Sequence, residues 1–191
     1  MHLVNYAKVR WLGLALAAAL AVGTAGPAFA DSVSVTVTGG TLLMTTTTNA
    51  AGGVTLSGLD QTTTYTVDVT VTDPTGTGNG WHVAMTSTTF STGGGSPKML
   101  STSASKITAR PSASCAVGST CTVATDGSVV SYPYTVPAGS TAPTATKMYS
   151  AAANTGMGAM AFSPTVTVSI PANTYAGTYS STLTFAIVSG P

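Results

Sequence analysis

Glutamate is absent from this 191-residue sequence, and charge of either sign is scarce: six Lys and Arg, five Asp and two His, with charged residues at 6% of the chain. Side chains able to move protons, hold a metal or grip a phosphate are therefore few. That shortage argues against an enzyme, and neither a metal site nor a cofactor is expected. A nucleic-acid partner would need a basic stripe to neutralise phosphates, and none exists. Capture on an anionic membrane surface is equally unsupported. The class of chains disordered by low hydrophobicity and high net charge is also excluded, since the net charge is +1 and the hydrophobic fraction 43%.

The first thirty residues read as a secretory signal. Lys8 and Arg10 supply a basic start, Trp11 to Val22 is an apolar run, and Gly26-Pro27 precedes Ala28-Phe29-Ala30 with small residues where a signal peptidase reads. Cleavage is expected between Ala30 and Asp31. The run falls short of the ~20 residues needed to span a bilayer, so no membrane attachment is expected after cleavage. Four cationic side chains then face five aspartates, and the domain that begins at Asp31 and runs to Pro191 is close to neutral.

From Asp31 onward the pattern is one of strands and turns. Val33, Val35 and Val37 alternate with Ser34, Thr36 and Thr38, and Tyr65, Val67, Val69 and Val71 alternate with polar residues. Such period-two runs of β-branched residues predict half-buried antiparallel strands. Further strands are expected around Trp81-Val83-Met85, Val130-Tyr132-Tyr134-Val136, Val166-Val168-Ile170 and Tyr179 to Ile187, with Pro133 marking an edge or a bulge. Asp126-Gly127 is a hairpin signal. The Ala cluster at 150–153 is expected to make one turn at most; Thr45 to Thr48 is a four-residue threonine run, and the Thr-rich faces read as solvent-facing strand positions, with hydroxyl ladders that pair strands or bind flat polymers as the alternative. Seven to ten short strands and no helical stripe predict an all-β fold, an antiparallel β-sandwich or barrel-like sandwich.

Cys115 and Cys121 are the two cysteines. Export and close spacing predict that they form a disulfide, since the spacing fits no CxxC redox pair and two thiols without a nearby His make a poor zinc site. Catalytic arrangements fail one by one. His82 is the single histidine after residue 30, no GxSxG elbow accompanies it, and Asp60, Asp68, Asp73 and Asp126 sit mostly at turn positions rather than as a facing pair.

Two segments carry a specific signal: GNGWHVAM from Gly78 to Met85, and YSSTLTFAIVSGP from Tyr179 to Pro191. Together they resemble the WxL domain of Gram-positive bacterial surface proteins, which has an internal WxL motif and a distal YxxxLTWxLxxxP. Trp81 and Val83 occupy the internal motif, with Val in place of Leu. Tyr179, Leu183, Thr184 and Pro191 match the distal motif, while Phe185 stands for its Trp and Ile187 for its Leu. The resemblance implies a secreted protein held non-covalently at the cell wall, with peptidoglycan as partner, and no LPxTG-like sorting signal accompanies it.

Read from the residues alone, Trp81 packs the core with Val83 and Met85. A functional alternative has Trp81 and Phe185, on neighbouring strands, bordering a groove that stacks on sugar rings, with Tyr132, Tyr134, Tyr149, Tyr175 and Tyr179 adding amphipathic surface. A different class of function is also open: a self-assembling subunit of a surface layer or filament, in which the Val33 to Thr38 strand completes a neighbour's sheet.

Overall fold

The structure, a computed structural model, describes residues 33–127 and 130–191. The expected signal segment and its Ala30–Asp31 junction lie outside the described residues.

The described chain contains no helix and forms two sheets. The larger is built around β2 (Gln61–Asp73), whose buried face is Tyr65, Val67, Val69 and Val71. One edge of β2 pairs antiparallel with β1 (Leu43–Asn49). The other pairs with β9 (Gly158–Phe162) and β10 (Thr165–Ile170) in a single unbroken register, Phe162 opposite Val69 and Thr165 opposite Thr66. β9 and β10 are thus one long strand interrupted at Ser163-Pro164, where the missing Pro N–H stops the ladder. Beyond them lie β5 (Ala113–Cys115) beside β9, and on the β10 side β4 (Ser105–Ile107) beside β10 with β6 (Tyr134–Thr135) beside β4. The smaller sheet centres on β3 (Trp81–Thr88), with β11 (Leu183–Ser189) on one edge and β8 (Thr146–Ala151) and the short parallel β7 (Ala138–Gly139) on the other.

Valines of β2 and β10, Met160 and Phe162 of β9, and Trp81, Val83 and Met85 of β3 form the core between the sheets. The expected sandwich is present, and residues 37–191 make one compact unit. Several local expectations are corrected. Val33 to Thr38 forms no strand; Val33, Val35 and Val37 are 92%, 82% and 89% exposed, since no strand among the described residues pairs with them. Around Tyr132 only Tyr134–Thr135 is strand, because Pro133 cannot donate. The last strand begins at Leu183, the preceding residues being held by a lone bridge, Ser91 to Ser180.

The threonine run is β1 itself, and Ser150 and Ala151 end a strand rather than making a turn. The Gly127 N–H and the Asp126 carboxylate are both engaged by the Ser150 hydroxyl, and residues 128–129, which a hairpin at Asp126-Gly127 would include, lie outside the described residues.

Candidate functional site

Trp81 opens β3 and is fully buried. Its indole lies near-parallel to Tyr149 (6.0 Å between centroids) and Phe162 (6.5 Å), which stack on each other at 4.2 Å. Its Nε1–H donates to the Gly156 carbonyl at 2.9 Å, satisfying the one polar atom of the side chain. Arg110 caps this aromatic stack, its guanidinium carbon 4.5 Å from the centre of the Tyr149 ring, while Nη2 donates to the Ser150 carbonyl. Val83 is buried beside Trp81 and Met85. The internal motif is therefore a core motif.

The distal motif occupies the neighbouring strand. Leu183, Phe185 and Ile187 turn the same way as the core and are half-buried, whereas Thr184 is exposed on the opposite face. Register puts Phe185 opposite Met85, and Trp81 opposite Ser189. Four positions along a strand are about 13 Å, so Trp81 and Phe185 share a sheet but border no common groove. Pro191 sits against Gly127, where an added Cβ would come within 2.5 Å of the proline.

Of the five tyrosines expected at the surface, three turn inward. The Tyr132 hydroxyl donates to the Met148 carbonyl (2.6 Å), Tyr134 to the Met85 and Thr146 carbonyls, and Tyr149 belongs to the stack. Burial pushes the Tyr132 phenol up to about 12 and raises those of Tyr134 and Tyr149 as well.

Tyr175 and Tyr179 remain at the surface. The Tyr179 hydroxyl donates to the Tyr175 carbonyl at 2.9 Å, and Tyr175, 64% exposed, has the Lys98 ammonium 4.3 Å from its ring centre. Together with Phe90, Val54, Leu56 and Ile170 they line a cleft of about 590 Å³ whose remaining walls carry threonine hydroxyls. Phe90 meets Tyr65 edge-on. Sequence reasoning missed Phe90 and the 51–56 segment. A signal was available in a lone aromatic set among Ser, Thr and Gly, which is costly to leave wet without a role.

The candidate acid–base groups do structural work. His82 Nδ1 lies 2.7 Å from the Gly190 carbonyl, tying β3 to the end of β11. Asp60 accepts from the Ala172 N–H, Asp73 from the Thr75 N–H and hydroxyl. Ser163 and Asn49 donate to Asp68 and hold its carboxyl below the ordinary aspartate range. Among the described residues no three His, Cys, Asp or Glu side chains gather as metal ligands would.

Cys115 and Cys121 form a disulfide. The loop it closes folds onto the start of β9, with the Ala116 N–H donating to the Ala159 carbonyl. The next residue, Thr122, exchanges backbone hydrogen bonds with Met157 and Gly156, so the loop supports the carbonyl that Trp81 uses.

A family model described as WxL domain, surface cell wall-binding, matches residues 23–191. The chain belongs to the WxL family. No match is found among curated proteins or solved structures. Membership makes this WxL protein a cell-wall-associated surface protein, and its motif pair takes structural form as two adjacent strands, β3 and β11, of one sheet.

Proposed function

We propose that this WxL protein is exported, performs no catalysis, and holds to peptidoglycan non-covalently through the cleft of Phe90, Tyr175 and Tyr179. The observation that supports this reading is the exposed Tyr175 beside Tyr179, at the rim of an apolar cleft edged with hydroxyls. Sugar rings offer an apolar C–H face and a polar rim. Aromatic rings stack on the first and hydroxyls bond the second, which is the usual composition of a carbohydrate-sized pocket. Near-neutral charge suits a polymer recognised through such contacts rather than through ion pairs.

Co-sedimentation with purified peptidoglycan tests the reading. Tyr175→Ala removes exposed stacking surface with little effect on the fold, and retention on the wall should drop while the melting temperature holds. Retention equal to that of the wild type would remove the cleft as the contact; no retention of the wild type would remove peptidoglycan as the partner.

A further inference from the structure

A second surface feature adjoins the tyrosine cleft and shares Phe90 and Tyr179 with it. Met44, Thr46 and Thr48 of β1 lie opposite Val71, Val69 and Val67 of β2, and therefore face the side of the sheet that carries the core. Yet Thr46 and Thr48 are exposed, because the opposing sheet stops at β11 and nothing among the described residues covers them. A trough of about 480 Å³ results, with β1 along one side, β11 along the other, and Tyr65, Phe90, Leu183 and Phe185 in its floor.

Both bordering strands are sheet edges. Among the described residues β1 pairs only with β2 and β11 only with β3, and each spans seven residues with no charge and no proline. Natural sheets guard such edges with charges, prolines or bulges, and neither strand here has one. The trough thus combines unpaired backbone donors and acceptors with an apolar floor, which is what an added strand requires.

The chain also carries a segment with the pattern of a strand but no strand pairing among the described residues. Val33-Ser34-Val35-Thr36-Val37-Thr38 alternates strictly, is exposed throughout, and belongs to no sheet. Six extended residues reach about 20 Å, close to the length of β11. A tight two-residue hairpin at Gly39-Gly40, leading back onto its own β1, would need positive φ at Gly39 at least. Neither glycine has one. Instead the Gly40 N–H donates to the Pro74 carbonyl, and a Cβ on Gly39 would collide with the Thr75 carbonyl oxygen.

We infer that Val33 to Thr38 of one copy inserts as a strand into the β1–β11 trough of a second copy, its three valines on the apolar floor and its hydroxyls outward. The contact is heterologous, donor on one face and acceptor on another, so it propagates head to tail rather than closing into a two-fold dimer. Phe90 and Tyr179 line both the trough and the cleft of the peptidoglycan reading, whereas Tyr175 belongs to the cleft alone and Thr48 to the trough alone.

The test uses the chain from Asp31 to Pro191 in the absence of wall material, with mass followed by light scattering as concentration rises. Wild type should grow through dimers to longer chains. Val35→Asp spoils the donor, in a segment that packs on no other strand, and Thr48→Arg blocks the acceptor at an exposed position; each alone should stay at the mass of one chain. Mixed, they should form a one-to-one dimer and nothing larger, because one supplies the intact trough and the other the intact strand. A monomeric wild type at every concentration overturns the inference. So does association that survives either substitution, or a mixture that stays monomeric. A trough filled by peptidoglycan fragments in Val35→Asp, to the exclusion of a Val33–Thr38 peptide, overturns it as well.

Discussion

The indole nitrogen of Trp81 and the carbonyl of Gly156 meet at 2.9 Å in the interior of the sandwich, 75 residues apart in sequence. That contact makes the motif tryptophan a structural residue and explains why a glycine must follow. Gly156 has φ +75°, and an added Cβ would lie 2.6 Å from Trp81 Nε1.

Trp81→Phe keeps an aromatic ring in the stack but orphans the Gly156 carbonyl. A buried acceptor left unpaired costs roughly 1–3 kcal/mol, and chemical denaturation should show a loss of at least that size. Peptidoglycan retention of the folded variant should equal that of the wild type, in contrast to Tyr175→Ala.

Gly156→Ala should destabilise by about 2 kcal/mol or more, from the positive φ and the collision with the indole together. The intrinsic fluorescence of Trp81 in the folded variant should shift, and an unaltered spectrum and melting temperature would contradict the packing described here.

The Cys115–Cys121 bridge closes a small loop, so its removal by paired Cys→Ser substitution should cost about 2 kcal/mol in the chain-entropy account. Because Thr122 exchanges hydrogen bonds with Gly156 and Met157, the near-ultraviolet circular dichroism of the Trp81 stack should weaken along with stability.

Alkaline stability follows from the buried phenols. Burial raises Tyr65 and Tyr132 to about 12, and raises Tyr134 and Tyr149. Between the unfolded value near 10 and these folded values the unfolded chain has released protons that the folded chain retains. Stability is therefore undiminished below pH 10 and falls as pH climbs toward 12. Unfolding monitored by circular dichroism should coincide with phenolate absorbance, and phenolate formation by all four tyrosines at pH 10 in folded protein would refute their burial.

Export predicts a secreted product that begins at Asp31. Intact-mass measurement of protein from culture medium checks it, and a product retaining Trp11 to Val22 would not fit.

The sandwich was legible because its central strands are strongly patterned. Valines at every second position of β2 and β10 can serve one buried face and little else. The disulfide followed from export and spacing, and the buried place of Trp81 from its alternation with Val83 and Met85. Edge and interrupted strands were not legible. β1 is mostly threonine and reads as exposed because it is exposed, while Pro164 hides the continuity of β9 with β10. Val33 to Thr38 fails in the opposite way: its pattern is that of a strand, but pairing depends on a partner that local sequence does not specify. The tyrosine cleft escaped because Phe90 and Tyr175 come from segments 85 residues apart, joined only by the fold.

Both ends of the folded unit are tied to a single connection: the Gly40 N–H bonds to Pro74 and the Gly190 N–H to Gly80, each within the turn that joins β2 to β3. The tyrosine cleft adjoins the other end of β2, where Gln61 pairs with Ile170. Thirteen extended residues separate the two poles by about 40 Å. Gly40 and Gly190 are consequently held together at one end of β2, and a substitution there leaves the cleft residues at the other end untouched.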